Sequence, residues 1–210
     1  MSSRTVKIGG WILLIGAVIS IGATALQFVI PGPLGQNGPP STVVTVVNVI
    51  AGLLLLGGLP AVYRAKSKQL GTLGLLGIVA IWLTALLFDL VLGIITILVV
   101  SKAPASSLSG APPPALFALF IVGTVLQLLG GLLLGLRIIQ TGAFPKLIGW
   151  FLIAGGVLAA ISFPLDGVSS TIVNTLSSLL FFVALGWLGY AIATQVREAA
   201  RPPASSATEG

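Results

Sequence analysis

Long apolar runs, separated by short segments rich in Gly, Pro, Ser or basic residues, make up almost the whole chain. The longest run covers residues 70–100, in which Asp89 is the single charged residue. As a helix rising ~1.5 Å per residue it would extend roughly 46 Å, against about 30 Å for the hydrocarbon core of a bilayer. This run is therefore predicted to cross a membrane with length to spare.

The complete pattern predicts an all-α fold, a transmembrane bundle of six helices. The bundle is expected to occupy residues 1–196, followed by a disordered cytoplasmic tail at 197–210. Pro60 is expected to kink or end the second helix, and Pro164 to end the fifth. A cleaved signal peptide is an alternative interpretation of the first run. The six spans are predicted at about residues 8–30, 43–62, 70–100, 115–136, 147–163 and 171–194.

Composition and charge agree with this class of protein. Hydrophobic residues form 56% of the chain and charged residues 7%, whereas an average soluble domain has roughly 25% charged residues. In a six-span chain, Lys102 faces one side and every other basic residue faces the side shared by both termini. Because cytoplasmic loops are enriched in Lys and Arg, we expect both termini in the cytoplasm and the protein in the plasma membrane of a bacterium. The net charge of +6 thus reflects membrane orientation, and no nucleic-acid partner is expected.

The residue types required for most catalytic and metal chemistry are scarce. The chain has no Cys and no His, and Asp and Glu together number four. Imidazole bases, thiolate nucleophiles and the common ligands of zinc, copper and haem are therefore excluded. No nucleotide-binding or hydrolase motif appears. We expect no catalytic residue, no metal site and no cofactor, and hence no enzyme.

Asp89 is the principal candidate functional residue, because an ionisable side chain inside a membrane helix is costly and commonly functional. It lies at the outer interface if residues 70–90 form the span, and at the midplane if residues 78–100 do. Polar side chains on other spans would form an outward-facing pocket with it, namely Gln27, Asn48, Gln127 and Asn174. Three interpretations remain: hydrated interfacial residues, a ligand or proton pathway, and a subunit contact.

Glycines mark two helix faces on which backbones can approach closely. Gly131 and Gly135 form a G-x-x-x-G pair, and Gly71, Gly74 and Gly77 recur every third residue. Packing within the bundle is the expected role of both faces, and a dimer interface is the alternative.

An internal duplication would give the bundle parallel-repeat hairpins. One shift of the sequence superimposes Gly57 on Gly135, Gly71 on Gly149 and the basic turns on each other. Chance matching among 27 glycines is the alternative explanation.

Two segments near the end of the chain carry a family resemblance. Residues 141–161 contain a turn with Pro, Lys and Gly-Trp, and residues 179–192 contain a closing Trp-x-Gly helix followed by a basic residue. These features resemble a bacterial family of multi-pass membrane proteins of unknown function, and more faintly the six-span acid-resistance membrane proteins. The resemblance implies six or more helices and no mechanism. The residues that carry it are Pro145, Lys146, Gly149, Trp150, Trp187, Gly189 and Arg197.

Two functions are compatible with these observations. The first hypothesis is a non-catalytic structural, accessory or stress-related membrane component. The alternative is a small transporter or channel-like protein with an outward-facing polar site at Asp89, which requires a continuous cavity reaching Asp89, Asn48 and Gln127. The expected partner is the lipid bilayer, with another membrane subunit or a second copy of the chain as further candidates.

Overall fold

The protein is all-α, as the sequence predicts. A computed structural model describes residues 3–30, 41–99, 113–165 and 167–198, and none of them forms a strand. The predicted loops at 31–42 and 101–114 and the predicted tail fall largely outside these residues. The helices are α1 (Ser3–Val29), α2 (Thr42–Ala85), a π-helix (Leu86–Leu92), α3 (Gly93–Leu98), α4 (Pro114–Thr141), α5 (Lys146–Ser162) and α6 (Gly167–Glu198).

Four helical stretches in the described part of the chain are long and apolar enough to cross a membrane, and α5 is shorter at 17 residues. The six separate helices expected from the sequence are not found as such. The predicted second and third spans lie in one helical stretch, Thr42–Leu98, which is 57 residues long.

The stretch Thr42–Leu98 is a hairpin. A straight helix of this length would extend roughly 86 Å, but the backbone leaves helical geometry at Lys66 (φ −137°, ψ 30°) and at Gly71 (φ 60°, ψ −162°). The conformation at Gly71 is accessible almost exclusively to glycine. We call residues 42–65 the first arm and residues 71–98 the second arm. The arms lie antiparallel. Gly93, near the end of the second arm, faces Val49, near the start of the first arm, and a Cβ added at Gly93 would lie 2.5 Å from the Val49 side chain.

Pro60 does not end the first arm, which was one of the two outcomes expected from the sequence; helical geometry is left later, at Lys66. A proline lacks the N–H that would bond to the carbonyl four residues earlier, here that of Leu56. The indole N–H of Trp82 in the second arm donates to this carbonyl oxygen at 3.1 Å. The helix therefore continues through Pro60, because the acceptor that proline leaves unpaired finds its donor on the other arm.

The helices form a closed ring in which each neighbour is antiparallel to the next. The first arm packs between α1 and the second arm, and α4, α5 and α6 follow in order until α6 meets α1. Contacts such as Gly10 with Gly189 and Gly77 with Leu134 set the antiparallel registers. The described basic side chains consequently lie at one end, the basic end, and comprise Arg4, Lys7, Arg64, Lys66, Lys68, Arg137 and Lys146. The opposite end is called the far end.

Apolar side chains fill the half of the bundle near the basic end. We call this set the leucine plug; its fully buried members include Leu13, Leu59, Leu70, Leu134, Ile138, Ile148, Leu152, Leu188 and Ile192. Many other large apolar side chains are exposed on the outer surface of the ring, including Ile15, Leu53, Leu76 and Val125. An apolar surface of this extent fits contact with lipid.

Candidate functional site

A cavity of about 530 Å³ occupies the centre of the ring in the half near the far end. Its volume is within the range of about 300–1,000 Å³ that is usual for small-molecule sites. It extends from Leu55, Ile81 and Leu185 in the middle of the bundle to Gln27 and Ser170 near the far end. Side chains from both arms and from α1, α4, α5 and α6 line it.

All five polar residues singled out in the sequence line this one cavity. Each comes from a different part of the ring: α1, the first arm, the π-helix, α4 and α6. Four of them are half-buried and the fifth, on α6, is exposed. In chain order they are Gln27, Asn48, Asp89, Gln127 and Asn174. The structure therefore brings together residues that are far apart in the sequence.

Asp89 lies on the π-helix, Leu86–Leu92, in the second arm. π-Helical turns inside α-helices are rare and frequent at functional sites. The first arm accommodates the side chain through Gly52, since a Cβ added there would overlap the Cβ of Asp89 and lie 3.3 Å from its Oδ2. Gly52 was not recognised from the sequence. Its one sequence signal is its position a single helical turn after Asn48, on the same face.

The contact with Gly52 also fixes the depth of Asp89. Gly52 is ten residues from the start of α2 at Thr42, which corresponds to roughly 15 Å along the helix axis. The carboxylate therefore lies well inside the bundle and not at the helix ends.

The carboxylate and amide groups of the cavity are not paired with one another. Asp89 is the sole ionisable residue among the described lining residues. Within the described chain it forms no ion pair or hydrogen bond, and neither do Asn48 and Gln127. Every buried side-chain N and O atom in the described residues does have a partner. The polar ends of these three side chains therefore face the cavity.

The hydroxyl groups of the cavity are fixed by their own helices. Thr24 donates to the carbonyl of Ser20 at 2.9 Å, and Thr84 donates to the carbonyl of Ala80 at 2.9 Å. Thr45 does the same at 3.0 Å with the carbonyl of Ser41. Each hydroxyl has thereby used its proton and keeps lone pairs as acceptors. Toward the cavity these three hydroxyls therefore act as acceptors.

Phenylalanine rings form an aromatic wall that the sequence analysis did not predict. The rings belong to Phe88, Phe120, Phe163, Phe181 and Phe182. Those of Phe88 and Phe120 lie 5.9 Å apart between centroids at an angle of 40°. Phe88 packs on Gly123 of α4, where a Cβ would overlap the ring. Apolar residues in membrane helices give no sequence signal that distinguishes a lipid-facing ring from a cavity-facing one.

The glycine pair on α4 is used inside the bundle. A Cβ at Gly135 would lie 2.6 Å from the carbonyl oxygen of Gly149 on α5, and a Cβ at Gly149 would lie 2.6 Å from the carbonyl oxygen of Gly135. Gly131 is in equally close contact with the carbonyl oxygen of Leu152. Both glycines are therefore positions where α4 and α5 meet backbone to backbone.

The three glycines of the second arm have different environments. Gly77 contacts the backbone of Leu134 on α4, with a 2.6 Å approach for an added Cβ. Gly74 faces the side chain of Leu70, one turn earlier. Gly71 provides the left-handed backbone of the hairpin turn, where the guanidinium Nε of Arg137 donates to the carbonyl of Leu70 at 3.0 Å.

The proposed repeat does not reproduce these contacts. Gly57 and Gly71 would correspond to Gly135 and Gly149. A Cβ at Gly57 meets a side-chain atom of Ile12 at 3.9 Å, and Gly71 faces Arg137. The close glycine contact between α4 and α5 thus has no counterpart between the two arms.

The described residues contain no group of three His, Cys, Asp or Glu side chains that could hold a metal ion. No protein-family model, no curated protein and no solved structure matches the chain. The resemblance of residues 141–161 and 179–192 to a bacterial membrane family stays a prediction.

Proposed function

We propose that this is a six-span integral protein of the bacterial cytoplasmic membrane that binds a small solute in its central cavity and acts as a carrier. The two arms of the hairpin count as separate spans in this proposal, which gives six together with α1, α4, α5 and α6. The proposal adopts the transporter alternative of the sequence analysis. It also implies that the protein is not an enzyme.

The charge distribution supports the orientation of the proposed carrier. The basic end would face the cytoplasm, because positive residues are retained on that side. Trp11, Trp150 and Tyr190 lie within a few turns of this end and are 43%, 57% and 52% exposed, as expected for rings at a membrane–water interface. The far end and its cavity would then face outward.

The observation that carries the proposal is the cavity with unpaired polar groups around Asp89. A carboxylate inside a membrane bundle is costly, and the lack of a side chain at Gly52 leaves room for it. The leucine plug closes the path from the cavity to the basic end. A central site that is closed on one side is the arrangement expected of a carrier in one of its two access states.

The accessory-component hypothesis has less support. The dimer interface that was the alternative role for Gly131 and Gly135 would require an exposed face, yet both glycines are buried against α5. The unpaired groups of the cavity have no role in a purely structural protein.

Because the chain has no Cys, a cysteine introduced at one position is the single thiol of this protein that a reagent can label. Ser178 lines the cavity, whereas its neighbour Ser177 is fully buried and donates to the carbonyl of Gly155 at 2.7 Å. We expect Ser178→Cys in intact cells to react with membrane-impermeant methanethiosulfonates, whether cationic or anionic. Ser177→Cys is the matched control and should not react.

Ser67→Cys tests the orientation. Ser67 lies in the hairpin turn at the basic end and should react in inside-out vesicles but not in intact cells. If Ser178→Cys reacts with neither reagent, in intact cells or in inside-out vesicles, the cavity proposal is refuted. Labelling of Ser67→Cys in intact cells would refute the orientation.

A further inference from the structure

We infer that the solute is a small organic cation, an ammonium group with apolar substituents. This inference rests on the proposed carrier function and names its substrate class. It follows from three properties of the cavity: its charge, its aromatic wall and its size.

The charge of the cavity is unbalanced. Asp89 has no basic partner among the described residues, and no Lys or Arg is found among the described lining residues. An unpaired carboxylate in a medium of low polarity is stabilised strongly by a cation beside it. A cationic solute therefore supplies the counter-charge that the described residues omit, and an anionic solute would be repelled.

The aromatic wall suits the remainder of such a solute. The faces of aromatic rings attract ammonium groups, and several rings around one cation are the usual means of recognising alkylated amines. Phe88 adjoins Asp89 in the sequence, and its ring pairs with that of Phe120 across to α4. Charge neutralisation and ring contacts are thus available at the same level of the cavity.

Size and ligand type argue against an inorganic cation. A cavity of about 530 Å³ is far larger than a bare metal ion requires. A hard divalent ion takes about six to eight oxygen ligands, usually with several carboxylates, whereas Asp89 is the single carboxylate among the described lining residues. The hydroxyl groups of Thr24, Thr45 and Thr84, by contrast, have lone pairs that can accept from the N–H groups of a partly substituted amine.

Two probes test the charge preference on the full-length protein carrying Ser178→Cys. The first is the reaction rate of a trimethylammonium methanethiosulfonate relative to a sulfonate methanethiosulfonate, each normalised to a free thiol in solution. We expect the cationic reagent to be favoured at least about tenfold. Introducing Asp89→Asn, which is nearly isosteric, should remove this preference.

The second probe is protection by benzyltrimethylammonium, compared with neopentylbenzene, its neutral isostere. The cation should slow labelling and the neutral compound should not. Asp89→Asn should raise the half-protecting concentration by about tenfold or more, and Phe88→Leu should raise it by several-fold while the carboxylate is retained.

The outcomes separate the two proposals. If Ser178→Cys reacts with neither reagent, the carrier proposal fails. If it reacts with both at equal normalised rates, or if the neutral isostere protects equally well, the cavity is accessible but the organic-cation inference is overturned. Protection by Na⁺ or K⁺ alone, without benzyltrimethylammonium, would also overturn it.

Discussion

The hydrogen bond between Trp82 and the carbonyl of Leu56 predicts a specific coupling between Trp82 and Pro60. Replacing Trp82 by Phe keeps a ring in place but removes the indole N–H that donates at 3.1 Å. The carbonyl of Leu56 then has no donor, because Pro60 has no N–H. An unpaired acceptor costs about 1–3 kcal/mol when buried, and because this one is part-buried we expect the lower half of that range, about 1–2 kcal/mol, or a fall in Tm of about 2–8 °C for a chain of this size.

Restoring the backbone donor should remove most of this cost. In a Pro60→Ala background, the N–H of residue 60 bonds to Leu56, and Trp82→Phe should then cost about 1 kcal/mol less, since only the loss of packing against the core is left. The four proteins form a double-mutant cycle, measured by thermal unfolding in detergent. We expect a coupling energy of about 1 kcal/mol or more between the two positions. Trp187→Phe is the control, since the indole of Trp187 packs against the apolar core and should show no coupling to Pro60. A coupling energy of zero between positions 60 and 82 would refute the role assigned to Trp82.

Three further predictions concern glycines. Gly71→Ala should lower stability by about 1–3 kcal/mol in detergent unfolding, because its φ of 60° with ψ of −162° strains any other residue. Gly135→Ala should lower it by a similar amount of about 1–3 kcal/mol through overpacking against α5, whereas Gly22→Ala, with nothing within 4 Å of the new methyl group, should not. Gly52→Ala should displace the π-helix that carries Asp89, at a cost in stability similar to that of Gly135→Ala, and should weaken protection by benzyltrimethylammonium more than Gly135→Ala does; unchanged protection would contradict the contact.

The sequence was sufficient to predict the helical class and the approximate helix positions, because these depend on apolar runs and on turn residues. It was not sufficient to predict the ends of the hairpin turn. The local pattern predicts that Pro60 kinks or ends the helix, but the donor that satisfies the carbonyl of Leu56 lies 22 residues after Pro60, at Trp82. No local pattern reveals such a contact. The left-handed conformation at Gly71 was hidden for a similar reason, since Gly74 and Gly77 have the same spacing and different roles.

The site shows the same division between local and long-range information. Asp89 and the four amides were identifiable because polar residues in apolar helices are conspicuous. Gly52 and Phe88 were not, because a glycine or a phenylalanine in a membrane helix is ordinary until its neighbour across the helix interface is known. The π-helix around Asp89 likewise leaves no signature in the hydrophobic pattern.

The distribution of glycines explains why one half of the ring is filled and the other contains a cavity. Near the basic end, Gly10, Gly77 and Gly135 approach the backbone of a neighbouring helix within 2.6–2.8 Å for an added Cβ. Nearer the far end, Gly52 and Gly93 meet side chains instead. Helices in contact through backbones lie closer than helices separated by side chains. The proposed carrier could therefore expose its site to the basic end only by separating these backbone contacts and the leucine plug.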